Sequence, residues 1–160
     1  MNVDFKQLPN ASKIWIFPSS KKLHAKLFNE IQDLLTQFSS NWLNNGKPVI
    51  SGYKIAYNRI IIVGVDQTID SLNVQAIDAL ISFIIGIENK HDLTLLDKVN
   101  VCFKQGDFVQ YKSVQEFKKM LKQGAISKKI IVFNNLIETK EELEDAWEVP
   151  ITESWHNRFI

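Results

Sequence analysis

The chain has 160 residues, 45% hydrophobic and 23% charged, the balance of a folded globular chain rather than a disordered one. Nineteen lysines and arginines face 18 aspartates and glutamates, a net charge of +1. That balance argues against a non-specific nucleic-acid or membrane-surface binder, which needs a basic excess. Cys102 is the one cysteine, so an internal disulfide or cysteine-rich zinc site is excluded and the expected compartment is the reducing cytoplasm.

Met1-Asn2-Val3-Asp4-Phe5-Lys6 carries no apolar core of a secretory signal. The most apolar window, Ala79 to Ile87, falls far short of the about 20 residues a membrane span needs. Residues 1 to 12 read as a loose polar arm. Ile14-Trp15-Ile16-Phe17 reads as the first strand, ended by Pro18, with Ser19 or Ser20 capping a helix. Leu23, Leu27, Ile31, Leu34, Leu35, Phe38 and Trp42 form one apolar helical stripe, stopped by Asn44-Asn45-Gly46 and Pro48.

Tyr53, Ile55 and Tyr57 alternate with polar or small residues, as in a strand with one buried face. Ile60-Ile61-Ile62-Val63 is β-branched throughout, which predicts a strand covered on both faces. The two pair as a hairpin turning near Asn58. A second helix, from about Leu72 to Asn89, is capped by Asp70 or Ser71. It is apolar around most of its circumference, so it is either largely buried or part of a subunit interface.

Val99, Val101 and Phe103 predict a fourth strand, turned by Gln105-Gly106-Asp107 into a fifth over Phe108 to Tyr111. Ser113-x-x-Glu116 is a capping box for a helix burying Val114, Phe117 and Leu121, with its stop near Gly124. Ile130 to Phe133 is the last predicted strand. Thr139-x-x-Glu142 opens a helical turn, and Pro150 to Ile160 has no clear period. Strand, helix, strand, strand, helix, strand is the ferredoxin-like βαββαβ order. The expected fold is α+β, a single domain over 1–160. Its lobes are about 13–104, the ferredoxin-like core, and 105–160, a C-terminal ββαβ-type extension with a docked aromatic tail.

The six glycines exclude two phosphate loops by spacing. Gly46 and Gly52 lie six apart and are followed by Tyr53, so there is no Walker A loop, and no glycine pair fits the dinucleotide fingerprint. His24, His91 and His156 stand far from one another, so no local zinc pair arises. Cys102 on an apolar strand reads as core. No metal or cofactor site is expected.

Three regions remain as ligand- or partner-binding candidates. Tyr57 and Arg59 at the hairpin turn offer an aromatic face and a two-pronged grip on a carboxylate or phosphate. Asp66 ends the most buried strand, where ligands often gather. Trp147, Trp155, His156 and Arg158 crowd the tail, and two tryptophans there require it to dock on something. The tail packs on its own sheet or forms a partner or ligand surface, and in the second case His156 titrates near neutral pH. Lys118, Lys119 and Lys122 read as one exposed helix face, and Glu141, Glu142, Glu144 and Asp145 as a solvated helix start.

Tyr57-Asn58-Arg59, Glu116-Phe117-Lys118 with Gly124, Val132-Phe133-Asn134-Asn135, Glu142-Leu143, Trp147-x-x-Pro150 and Ser154-Trp155-His156-x-Arg158-Phe159 together carry a likeness over nearly the whole chain. The pattern resembles an uncharacterised family of short bacterial proteins often labelled an ABC transporter ATPase. That label implies a Walker A loop, which the glycine spacing excludes here. The family's Gly-Cys-Ser at the second helix is replaced by Val74-Gln75-Ala76, which removes a thiol from that helix start. Residues 99 to 133 are also similar in outline to GYF-type modules, which bind proline-rich peptides.

The leading functional expectation is a non-enzymatic binding or interaction protein, with a homodimer through the second helix or the sheet or a protein or peptide as partner, and neither nucleic acid nor membrane. The alternative is a small-molecule-binding protein or enzyme whose pocket holds Tyr57, Arg59 and Asp66, closed by His156 and Arg158.

Overall fold

The computed structural model describes residues 1–160. In chain order the elements are β1 (Lys13–Pro18), α1 (Ala25–Asn41), β2 (Leu43–Asn44), β3 (Lys47–Pro48), β4 (Ser51–Ala56), β5 (Ile60–Val65), α2 (Val74–His91), β6 (Val101–Gln105), β7 (Phe108–Lys112), α3 (Val114–Lys122), β8 (Ile131–Phe133), α4 (Lys140–Asp145) and β9 (Glu148–Pro150). Single 3-10 turns cover Phe5–Gln7, Ile151–Glu153 and Trp155–Phe159. The chain is a mixed α+β fold with antiparallel sheets. No helix is long and apolar enough to cross a membrane.

Two sheets form the centre. The first has the order β1-β5-β4 and the second β7-β6-β8-β9, while β2 and β3 make a separate short ribbon. The strand period sorts the side chains between layers. On β5, Ile61, Val63 and Val65 face a core completed by Leu27, Ile31 and Leu35 of α1 and Leu80, Ile84 and Ile87 of α2. Ile60 and Ile62 point the other way, where they meet Ile14 and Ile16 of β1 and, from the second sheet, Cys102 and Phe133. Beyond that sheet, Val101, Phe103 and Val132 pack under Phe117 and Leu121 of α3. The result is four layers: α1 and α2, the first sheet, the second sheet, then α3 with the tail.

The layering explains why one extended sheet does not form. β1, β4 and β5 form the first sheet in the order β1-β5-β4, and β6 lies in the second sheet. The outer edge of β1 is already occupied, because the Ile14 N–H donates to the Glu138 carbonyl at 2.9 Å. Meanwhile Val101, Cys102 and Phe103 are all fully buried. An uninterrupted apolar strand needs cover on both faces, and the middle of a four-layer stack supplies it.

Local signals moved in instructive ways. Ser19 and Ser20 do not cap α1. Ser20 Oγ instead accepts from the Thr94 N–H at 2.9 Å, and the cap is His24, whose Nδ1 accepts from the Leu27 N–H. Asn73, rather than Asp70 or Ser71, caps α2. The stop after α1 is a small ribbon with Asn45 and Gly46 at positive φ. A further strand, β9, follows the one expected to be last.

The amino-terminal segment is no loose arm. Gly52 and Gly64 are register partners on β4 and β5 and leave a trough. Phe5 and Leu8 are buried there, and the Val3 N–H donates to the Ser51 carbonyl. The Lys140 ammonium, also buried, donates to the carbonyls of Lys6 and Leu8 and so ties α4 to this segment.

Candidate functional site

The β4–β5 hairpin turns through Tyr57 and Asn58, at φ of 56° and 52°. This left-handed pair projects the Tyr57 ring across the end of the second sheet. Its hydroxyl donates to Glu148 Oε1 at 2.7 Å, and its ring meets Phe133 edge-on. Lys104 pairs with the same carboxylate and sits 5.1 Å from the Tyr57 ring centre. Burial and the Glu148 hydrogen bond hold the Tyr57 hydroxyl above its ordinary range. The hydrogen bond to Glu148 holds the Lys104 ammonium above its own. Tyr57 is thus bound into a local polar triad.

Arg59 follows directly and points elsewhere. Its Nη1 donates to the Val109 carbonyl on β7 at 2.6 Å, while its Nε is buried without a partner. No carboxylate lies within 4 Å of the guanidinium. Burial draws its pKa below the ordinary arginine value. Beside it is a pocket of about 200 Å³ lined also by Lys22, Asn58, Asp107 and Phe108.

Asp66 does not join them. It sits past the other end of β5, about 20 Å of strand away at roughly 3.3 Å per residue. Its Oδ1 accepts from both the backbone N–H and the hydroxyl of Thr68, an Asx turn of the loop into α2. Trp147 is buried in the core between the sheets, edge-on to Phe133 at 4.9 Å, with its indole N–H on Asn135 Oδ1. It belongs to packing and not to an open surface.

The tail docks against α3. His156 is 1% exposed, hydrogen-bonds Ser154 through Nδ1 and meets Phe117 edge-on. Burial, aided by the Arg158 charge, pushes its pKa down to about 4. It is therefore neutral at pH 7, without the titration near neutrality that a binding-surface tail would give it. It lies on the far side of the second sheet from the inter-sheet core, so it does not close over Arg59. Trp155 stacks on His156 at 3.9 Å, and the Arg158 guanidinium lies 5.0 Å from the Trp155 ring and 5.4 Å from that of Phe159.

Arg158 is exposed at the rim of a basic groove. A groove of about 440 Å³ runs between α3 and the tail, lined by Lys118, Lys122, Lys128, Arg158, Phe159 and the apolar Leu121 and Ile160. Lys118 Nζ lies 5.2 Å from the Phe159 ring centre. None of the four cations has a carboxylate within 4 Å, and no acidic side chain lines the groove.

The candidates therefore divide among separate places: Tyr57 and Arg59 at one turn, Asp66 at the opposite end of the first sheet, Trp147 inside, and Trp155, His156 and Arg158 on the outer layer. Lys22, Lys122 and Lys128 were not singled out as binding residues. The i, i+4 spacing of Lys118 and Lys122 puts both on one helix face. Nothing in the chain order brings Lys128 and Arg158 beside them. Comparison with family models, curated proteins and solved structures gives no match to this chain.

Proposed function

We propose that the protein is a non-enzymatic binding protein and that its α3–tail groove holds an acidic segment of a partner protein. The observation that carries this reading is the cluster of Lys118, Lys122, Lys128 and Arg158 beside Phe159 with no acidic side chain among them. In a chain of net charge +1, four unpaired cations in one groove are a local field without an internal counterpart. The aromatic floor adds apolar contact, and Arg with aromatic neighbours is the usual composition of a binding anchor. The near-zero net charge favours a short acidic segment over a long polyanion, whose remaining charges would meet the acidic residues elsewhere.

The reading extends to the rest of the chain. The β1-β5-β4 order with two helices on one face supports relating residues 13–104 to the ferredoxin-like pattern. Cores that interlock across both sheets support a single domain, and the buried lone cysteine fits the cytoplasm.

The test is fluorescence anisotropy of a labelled short oligoglutamate peptide. Saturable binding that weakens with salt, and weakens further in Arg158→Ala and Lys122→Ala, is the expected result. Each exposed charge contributes about 0.2–1 kcal/mol. Absence of saturable binding, or tighter binding of a single-stranded oligonucleotide than of the peptide, overturns the reading.

A further inference from the structure

We propose that the pocket beside Arg59 binds a small oxyanion, the carboxylate or phosphate group of a small molecule, between the Arg59 guanidinium and the Lys22 ammonium. This site is separate from the α3–tail groove and does not depend on it.

Three segments distant in sequence build the pocket, and hydrogen bonds fix each to the next. The Ser19 N–H donates to the Arg59 carbonyl at 2.9 Å and the Leu23 N–H to the Asn58 carbonyl at 2.7 Å. These bonds hold the loop carrying Lys22 against the hairpin turn. Arg59 Nη1, on the Val109 carbonyl, holds the start of β7 on the other side. Lys22 and Arg59 are thereby anchored as two walls of one cavity, with Lys22 Nζ 5.9 Å from the Phe108 ring centre.

The guanidinium charge in this pocket has no carboxylate against it. Arg59 is half-buried, with no carboxylate within 4 Å. Its ionisable neighbours are Cys102 and Tyr111, both pushed toward their neutral forms by burial. Drawing a cation from water is unfavourable unless an anion accompanies it. Capping the Val109 carbonyl needs only one of the five guanidinium donors. Nη2 makes no hydrogen bond to protein, which leaves it for a charge-assisted bond to the anion. Asp107 is the single acid on the lining, so the pocket's charge suits one small anion rather than a polyanion.

The test is an amide NMR titration with inorganic phosphate, and separately with acetate, at constant ionic strength. Saturable shifts centred on Lys22, Asn58, Arg59 and Asp107 with either probe support the site, and the stronger probe identifies the anion class. Lys22→Ala is expected to weaken binding about two- to fivefold, and Asp107→Asn to strengthen it by a similar factor. Arg59→Gln is expected to abolish saturation. The exposed Lys22 and Asp107 carry the test even if Arg59→Gln fails to fold. No saturable shift, equal shifts with chloride, or shifts confined to Lys118, Lys122 and Arg158 overturn the proposal.

Discussion

The indole N–H of Trp147 donates to Oδ1 of Asn135 at 2.8 Å, with both side chains buried. This bond permits a polar amide inside the core between the sheets, because a buried polar atom is costly mainly when unpartnered. Asn135→Leu strands the indole N–H, and Trp147→Phe strands the amide. Each is expected to lower stability by about 1–3 kcal/mol in urea unfolding. The double variant should lose less than the sum of the two, since the second change removes the group the first left unpaired. Strict additivity would show that the bond is energetically idle.

Gly52 and Gly64 pair across β4 and β5, yet a methyl group should be tolerated differently at each. At Gly52 an added Cβ would stand 2.7 Å from the Val3 carbonyl oxygen and 3.1 Å from the Phe5 Cα, both backbone atoms. At Gly64 it would meet Leu8 Cδ1 at 2.7 Å and the Phe5 ring at 3.0 Å, and the Leu8 methyl can rotate away. Gly52→Ala should therefore cost more than Gly64→Ala, within the roughly 1–3 kcal/mol of overpacked sites. Hydrogen exchange at the Val3 amide, bonded to Ser51, reports the displaced segment directly.

His156 makes stability depend on pH. Its folded pKa of about 4 lies below the ordinary 6.5, so the unfolded chain binds the proton more readily between those values. The contribution is complete above pH 6.5 and is lost as pH falls through about 4. Wild type should lose on the order of 2 kcal/mol more than His156→Phe between pH 7 and 4.5. Equal losses in denaturant titrations at the two pH values would place the proton elsewhere.

Cys102 is fully buried, and burial pushes its thiol up to about 12. The thiolate is the reactive form. Alkylation at pH 8 is expected to be absent in native protein and stoichiometric in denaturant, as read by mass spectrometry. Rapid native labelling would mean that the two sheets separate locally.

The sequence was legible wherever one periodic stretch decided one element. The alternation about Tyr53, the apolar run at Ile60 and the α1 stripe each determined type and place. The sorting of strands into sheets was not legible, because Val101 to Phe103 of β6 is as apolar as β5 and either partner satisfies a strand that wants two covered faces. The site was harder still. Arg59 carried a readable chemistry, but its pocket is completed by Lys22 and rimmed by Asp107, whose proximity comes from bonds between distant loops. Trp147 and Trp155 looked alike as tail aromatics, yet one fills the inter-sheet core and the other lies under Arg158.

The inter-sheet core draws on Phe5, Ile14, Ile60, Cys102, Phe133 and Trp147, so its pieces are spread over most of the chain. On the ribosome the helix-covered face of the first sheet can close once α2 has emerged. The opposite face, with Ile14, Ile16, Ile60 and Ile62, waits until β8 and Trp147 are made, on the order of ten seconds later at ordinary elongation rates. For that interval the nascent chain displays a β-branched apolar sheet face to its surroundings. Chaperone capture and early aggregation are accordingly expected in the window before Trp147 emerges.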